Sequence, residues 1–493
     1  MLKPMNVLDA GLLMMESPET PMHIGGLQVL KQPRGAGPDH VARLHQQALG
    51  FPANGAPFNY RLSPHGGPLG MPAWEVLDRV DLDQHVFRHA LPWPGDDRGL
   101  LALVSRLNSG LLDRSRPLWE QHLIEGLAGG RYATFTRIHH ALMDGQWGMK
   151  LAHETTSTDP RRRGLPPYWA VRFDKPVAPA PAATQTQRVR SLASWWARQG
   201  QDRKDRVETA AELRKAFGRL LESYQHPTDD GLAAPYTAPD CMLNGKLSAR
   251  RELAAVRLDL GRMKTLAHAH EATVNELVLT LCGAALRRYL QDRDALPAKP
   301  LLASMPIAMN RNDGDRGGNA IVTGMVSLAT HLEDPVERFK AVRGSSQHAK
   351  ALFREMPSTT AVSIYLGVTG IPFILAQAVG RVESVHAHNV VISNVAGPRE
   401  KRYVNGALIE SEYPMSLLVP GQAMNITVVS HADCLDVAVL VCPDLVPQPH
   451  LVSAGIADAL TELERALRPR RAARPPASKT SRTTTFTTRR GQR

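Results

Sequence analysis

The 493-residue chain carries a formal net charge of +12, with 43% hydrophobic and 22% charged residues. That balance is ordinary for a folded globular protein; it excludes an intrinsically disordered chain or a collagen-like repeat, and the length allows two large domains or about three of common size. Nine basic residues (Arg468, Arg470, Arg471, Arg474, Lys479, Arg482, Arg489, Arg490, Arg493) fall in 468–493 with no acid among them, so the rest of the chain is nearly balanced and nucleic acid is not an expected partner.

In chain order, Met1 to Ala10 has one Lys and no continuous apolar core, so no secretory signal is expected. Residues 1–170 alternate short strand-like and helical patterns and end in the loop Gly164-Leu165-Pro166-Pro167. Within them, Arg116-Pro117-Leu118-Trp119-Glu120 follows an apolar helical run, and Trp119 reads as a core or pocket-wall residue.

Tyr132 to His140 reads as a strand that runs directly into Ala141-Leu142-Met143-Asp144-Gly145 and then into a helical pattern through Trp147 and Leu151. A strand has period two, so His139 and His140 point to opposite faces and only one of them can face a given pocket. An imidazole at a strand end suits a general base, because its ordinary pKa lies near working pH. Asp144 could orient an imidazole, pair with a buried Arg or cap the following helix, and Gly145 permits the tight turn. The plainer alternative is a satisfied core His followed by an N-cap Asp. A zinc-protease helix would need a His four residues after His153, where Ser157 stands. An iron site could draw on His140, Asp144 and a distant His such as His386, but His139 and His140 cannot easily both ligate from opposite faces. No GxSxG elbow, Walker loop or GxGxxG fingerprint is present, so covalent serine catalysis, ATP use and nicotinamide chemistry lose support.

Residues 171–240 read as a connector. Pro176, Pro179 and Pro181 are followed by a charged helical stretch with Leu213, Ala216, Phe217, Leu220, Leu221 and Tyr224 on one face. From 241 to 467 strands and helices resume. Thr273-Val274-Asn275-Glu276 opens a helix with an apolar stripe through Tyr289, and Thr273 with Glu276 makes a capping box. Asn275 then lies in the first turn beside unpaired backbone donors, where an oxyanion could be stabilised. Gly317-Gly318-Asn319 precedes a strand-like Ile321 to Leu328, and Asn389 to Pro398 ends an apolar strand in a turn. The uncharged stretch 356–380 is long enough to span a bilayer, but its Ser, Thr, Gly and Pro content favours buried or membrane-facing helices instead. Asn425 to Val429, a turn at Ala432-Asp433 and Leu435 to Val441 read as a hairpin. Cys241, Cys282, Cys434 and Cys442 lack metal spacing and read as free thiols of a reducing cytosol. The tail 468–493 is expected to be disordered and available to anionic lipid.

Taken together and in order, these landmarks resemble the bacterial wax ester synthase/diacylglycerol acyltransferase family. The match is carried by Leu8-Asp9-Ala10, Glu16-Ser17, Pro21 to Gly26, Pro117 to Glu120, His139-His140 through Asp144-Gly145, Val274-Asn275-Glu276 and Asn389 to Pro398, and it spans residues 5 to about 467. The resemblance implies an α/β fold of two chloramphenicol acetyltransferase-like domains with mixed sheets. They would occupy 1–170 and 241–467, joined by the helical connector 171–240 and followed by the tail 468–493, with the active site in a tunnel between them. It implies transfer of a long-chain acyl group from acyl-coenzyme A to a long-chain alcohol or diacylglycerol, with acyl-CoA as substrate and no cofactor or metal. By position, His140 would be the general base, His139 its supporting neighbour, Asp144 an organiser of the loop, and Asn275 a group that positions reactants or steadies the oxyanion. Glu16 would line the same site, with Gly145, Pro117, Leu118, Trp119 and Glu276 at the substrate. Two departures stand out: Glu276 replaces the usual Asp, and Pro443 stands where an Arg is common. A cytoplasmic protein, peripheral on the inner membrane face or on lipid bodies, follows from such substrates. The alternatives are an amide-forming condensation enzyme of the same fold and a non-enzymatic lipid-body protein.

Overall fold

A computed structural model describes residues 2–5, 7–67, 71–143, 145–171, 218–308, 321–354, 361 and 364–468. In the first part of the chain, β1 (Leu2–Pro4), α1 (Val7–Met15), β2 (His23–Lys31), α2 (His40–Leu49), β3 (Tyr60–Leu62), β4 (Ala73–Val76) and β5 (Val86–Ala90) are followed by α3 (Asp97–Asn108), β6 (Trp119–Leu127), β7 (Arg131–His139) and α4 (Gly145–Thr155). The later part holds β8 (Glu252–Asp259), α5 (Leu260–Ala269), α6 (Val274–Gln291), β9 (Leu302–Ala308), β10 (Ile321–Ser327), α7 (Pro335–Arg354), α8 (Ile371–Ala378) and β11 (Val390–Val395). It ends with β12 (Tyr403–Val404), β13 (Ala407–Met415), β14 (Met424–His431), β15 (Cys434–Val441) and α9 (His450–Ala466).

Two six-stranded mixed sheets result, ordered β12-β13-β2-β7-β6-β5 and β10-β9-β11-β14-β15-β8, with a small sheet β1-β4-β3 beside them. This is the α/β architecture of two domains with mixed sheets that the resemblance implied. In the first sheet β5 runs parallel to β6, and in the second β11 runs parallel to both β9 and β14. One strand pair crosses the division of the chain at residue 240: β13 pairs with β2, from Leu408 opposite Lys31 to Met415 opposite Gly25, so residues 403–415 complete the first sheet. Asp436, wholly buried on β15, fastens that excursion by accepting the Glu412 N–H at 2.8 Å and pairing with Arg257 at 2.7 Å.

Strand alternation divides the core. Ala133 and Phe135 of β7 join Leu27, Val29 and Val104 in the large cluster that continues through α6, β14, β15 and α9. Tyr132 and Ile138, on the other face, pack with Leu30, Phe58, Trp119 and Trp169. Helix α3 sits against the edge strand β8, where Ser105 Oγ accepts the Leu253 N–H at 2.9 Å. Asn389, wholly buried before β11, stitches three segments: its Oδ1 accepts the Leu302 N–H at 2.9 Å and its amide donates to Pro239 O at 2.7 Å and Asn244 Oδ1 at 2.8 Å. The β14–β15 hairpin turns at Ala432-Asp433, with Ala432 at φ 50°, the sign a two-residue hairpin needs.

The connector from 172 to 217, the tail from 469 to 493, Gly317-Gly318-Asn319 and Met356 to Thr360 lie outside the described residues, as do Leu213, Ala216 and Phe217 of the connector's apolar face. Of that face, Leu220 packs with Val322, Leu352 and Phe353, whereas Leu221 and Tyr224 are exposed. Among the described residues of that face, only Leu220 is therefore buried. Among the described residues no helix is long and apolar enough to cross a membrane. Helix α8 rises only about 12 Å against a hydrocarbon core of about 30 Å.

Candidate active site

The histidine pair sits where β7 leaves the first sheet. His139 is the last residue of the strand, opposite His23 of β2, and the chain is held on both sides as it departs: the His139 N–H donates to Leu118 O and the His140 N–H to Met22 O, each at 2.9 Å. His139 is wholly enclosed and His140 half-buried. Period two thus separates a protected imidazole from an accessible one.

His139 is hydrogen-bonded at one ring nitrogen and faces Glu16 with the other. Its Nδ1 accepts the Ala141 N–H at 3.1 Å, which assigns the ring proton to Nε2, and Nε2 lies 3.4 Å from Glu16 Oε1, too oblique for a hydrogen bond. Glu16 is itself saturated. Oε1 accepts the Met22 N–H at 3.1 Å, while Oε2 accepts Arg114 Nε at 3.2 Å and Nη2 at 2.9 Å. Burial opposes the charged form of Glu16, but His139, the Met22 amide and Arg114 outweigh it and hold the carboxyl at about 2. The result is a buried carboxylate and imidazole braced against the base of the loop that carries His140.

A second layer on the same sheet face holds the 109–118 loop from which Arg114 reaches in. Arg137 forks onto Glu120 at 2.9 and 2.8 Å and donates to Gly110 O at 2.7 Å. Glu120, opposed by burial but held by His122 and Arg137, is also lowered to about 2. His23 donates to Asn108 Oδ1 at 3.0 Å, and burial followed by the charge of Arg137 pushes its pKa down to about 3. Sequence reading singled out neither Arg114 nor Arg137. Asp113-Arg114-Ser115-Arg116 has the look of a solvated turn, and nothing in its spacing points across 98 residues to Glu16.

The structure brings Glu16, His139 and His140 together and leaves the other expected residues in separate groups. At the head of α6 the Asn275 amide donates to Met305 Sδ at 3.0 Å. Thr273 Oγ1 accepts the Glu276 N–H at 3.2 Å, Glu276 Oε2 accepts the Thr273 N–H at 2.8 Å, and Glu276 Oε1 lies 3.6 Å from Lys350 Nζ. Both oxygens of this carboxylate have protein partners, so it is a helix cap here and presents no free oxygen to a substrate. Leu118 and Trp119 have no exposed surface: Leu118 packs with Leu13, Trp74 and Ala141 under the histidine loop, and Trp119 donates to Phe58 O at 2.8 Å inside an aromatic cluster. Pro117 is buried beside them. These three act in this structure as the floor of the loop, not as a pocket wall, because the chain is already buried at Pro117 and Leu118 where it leads into β6 at Trp119. Gly145 opens α4, and Asp144 lies outside the described residues.

Among the described residues no three His, Cys, Asp or Glu gather as metal ligands. His386, the distant member of the alternative iron set, instead pairs with Asp240 at 3.3 Å and lines a cavity of about 210 Å³ with His388, Tyr236 and Phe373. A cavity of about 750 Å³ lies on the other face of the first sheet, and His139 and His140 line neither it nor the smaller one.

The sequence matches the model of the wax ester synthase/diacylglycerol acyltransferase catalytic domain over residues 5–278 and that of the WS/DGAT C-terminal domain over residues 317–464. Among curated proteins it is similar to a putative diacylglycerol O-acyltransferase of Mycobacterium tuberculosis, 38% identical over 465 residues that cover 94% of this chain and 100% of the relative. It is also similar to O-acyltransferase WSD of Acinetobacter baylyi, 34% identical over 451 residues, covering 91% and 94%. Among solved structures, the wax ester synthase/diacylglycerol acyltransferase from Marinobacter aquaeolei VT8 superposes with a TM-score of 0.73 at 32% identity over 94% of this chain and 99% of that one. The first condensation domain of the CDA synthetase, at 14% identity and a TM-score of 0.53 over 95% and 97%, shares the fold.

Proposed function

Because this chain belongs to the wax ester synthase/diacylglycerol acyltransferase family and is an O-acyltransferase, we propose that it moves a long-chain acyl group from a coenzyme A thioester to the hydroxyl of a long-chain alcohol or diacylglycerol, with His140 as general base. The observation that carries the assignment of the base is the enclosed Glu16–His139 pair beneath an accessible His140. In this reading the acceptor hydroxyl gives its proton to the His140 imidazole as its oxygen attacks the thioester carbonyl carbon. The tetrahedral oxyanion collapses, the C–S bond breaks, and the departing thiolate takes the proton back from the imidazolium. Positioning of the two reactants and one general base supply the acceleration. His139, locked by Ala141 and Glu16, holds the loop and the backbone of His140 in place. Asn275, in the first turn of α6, is suited to steady the oxyanion if its amide turns from Met305.

Such substrates reach the protein from a lipid surface, and we place that contact at α8. Its Ile371, Leu375 and the following Val379 are 56%, 61% and 71% exposed at four-residue spacing, an apolar stripe facing solvent. The tail 468–493 would add attraction to anionic headgroups.

The test is to incubate purified protein with palmitoyl-coenzyme A and either hexadecanol or diolein, following free thiol release and identifying the product. Thiol release matched by wax ester or triacylglycerol is expected. Release matched only by free palmitate, or no release with either acceptor, would refute the reading.

A further inference from the structure

The 750 Å³ cavity lies between α2, the 163–169 segment and the face of the first sheet that looks away from Glu16 and His139. Alternation along β7 makes the separation: Tyr132, Thr134 and Thr136 line the cavity, while Arg137 and His139 face α3 and the 16–22 loop. A cavity of this size can enclose a small organic molecule.

Its charge is one-sided. Arg34, Arg43, Arg163 and His40 line it, no Asp or Glu does, and none of the three arginines is paired with a carboxylate among the described residues. The three arginines are exposed, and two of them, Arg43 and Arg163, add to burial in lowering the pKa of His40. Arg163 is held there by donating to Pro160 O at 2.8 Å. Inside, the Tyr132 side chain is 1% exposed and its hydroxyl has no hydrogen-bond partner among the described residues. Burial raises its pKa well above the ordinary value, so the hydroxyl is a donor without an acceptor. The His40 ring stands edge-on to Tyr132 at 5.6 Å, and its Nε2 is likewise buried and unpartnered. Leu44, Phe51, Leu123 and Trp169 supply an apolar wall beside these groups. Buried polar atoms are normally satisfied, and a donor on a residue that lines a cationic, acid-free cavity is satisfied best by an anion.

We propose that this cavity is a second binding site, separate from the transfer site, for an organic anion. Its carboxylate or phosphate head sits among Arg43, Arg163, His40 and Tyr132, and its apolar body lies against Leu44, Phe51, Leu123 and Trp169. The inference does not depend on the acyl-transfer reading.

The test is direct binding to the full chain, by calorimetry and tryptophan fluorescence, with decanoate, decyl phosphate and decanol as probes below their aggregation limits. One or both anions saturate a single site, decanol binds at least about tenfold more weakly, and the preferred head distinguishes a carboxylate from a phosphate ligand. Arg43→Gln weakens the anion about tenfold, Tyr132→Phe, which keeps the ring and its packing, weakens it several-fold, and His140→Ala leaves it unchanged. Equal binding of decanol, no saturable binding of either anion, unchanged affinity in both Arg43→Gln and Tyr132→Phe, or a loss in His140→Ala as large as in Arg43→Gln would each overturn the proposal.

Discussion

The first sheet buries charge at its strand ends and the second buries almost none. Around β2, β6 and β7, Glu16, Glu120, Arg137, His23 and His139 are tied into two networks that brace the histidine loop. Along β14 and β15, by contrast, Ile426, Val428, Leu435, Val437, Val439 and Val441 fill the core with aliphatic side chains. The acid buried there, Asp436, serves the seam to β13. Burying an ion pair costs desolvation that its attraction repays only with good geometry, so apolar packing is the cheaper way to stabilise a sheet. The second sheet follows that rule. The first departs from it where a loop must hold one imidazole accessible and its neighbour rigid.

The sharpest test of this contrast separates chemistry from stability. His140→Ala should lower acyl transfer about 10²–10⁴-fold with little change in Tm, since the side chain is half-buried at the loop's open side. His139→Ala should lower Tm, because Glu16 then loses a buried partner. Near wild-type turnover in a normally stable His140→Ala protein would remove that residue from the role of base.

In the second sheet the corresponding change is purely structural. Asp436→Ala strands Arg257 and the Glu412 N–H, and because the Arg257 side chain is 38% exposed the cost should lie at the lower end of the range for a broken buried pair, about 3 kcal/mol. Denaturant unfolding measures it, and the fraction that stays folded should retain its specific activity. A stable but inactive variant would show that β13 transmits something to the site beyond its pairing.

Local patterns made much of this legible. The β7 strand, the β14–β15 hairpin and the α6 capping box follow from period, turn chemistry and the Thr273–Glu276 spacing, which act within a few residues. The entry of β13 into the first sheet was not legible, because no local feature of Ala407 to Met415 says which edge it will pair with. Nor was the grip of Arg114 on Glu16, which closes a contact across 98 residues. Trp119 could equally have lined a pocket; burial decided, and only tertiary packing fixes burial.

Acid should destabilise the protein in two steps, the second of them in the first sheet. His23 in that sheet and His388 near the second are lowered to about 3 and about 4, in both cases chiefly by burial, while Glu16 and Glu120 are lowered to about 2. In every case the unfolded chain binds more protons as pH falls, so the folded state loses stability on acidification. The histidine contributions are intact above the ordinary 6.5 and fade from there toward about 3–4; the carboxylate contributions are intact above 4.5 and fade toward about 2. Scanning calorimetry should show Tm falling slowly below about pH 6.5 and more steeply below about pH 4.5, with Glu16→Gln flattening the second step. A steeper loss between pH 7 and 5 than below 4.5 would contradict the assignment.

The smallest effect expected is at Glu276, one of the two positions where the sequence departs from the pattern it resembles. Glu276→Asp shortens the side chain by one methylene, so its carboxylate no longer reaches the Thr273 N–H while also lying near Lys350. The Lys350 side chain is 28% exposed, which makes that ion pair a minor contributor, and the Thr273 hydroxyl still caps the helix through the 276 N–H. The loss should be about 0.5–1 kcal/mol, comparable to or smaller than that from Thr273→Ala, which removes the side-chain acceptor itself. Because both Glu276 oxygens are turned toward the helix start and Lys350, the ratio of wax ester to triacylglycerol formed from paired acceptors should stay as in the natural sequence. A several-fold change in that ratio at unchanged Tm would mean that the carboxylate leaves its cap to meet the acceptor, and that α6 presents a substrate-reading group from its first turn.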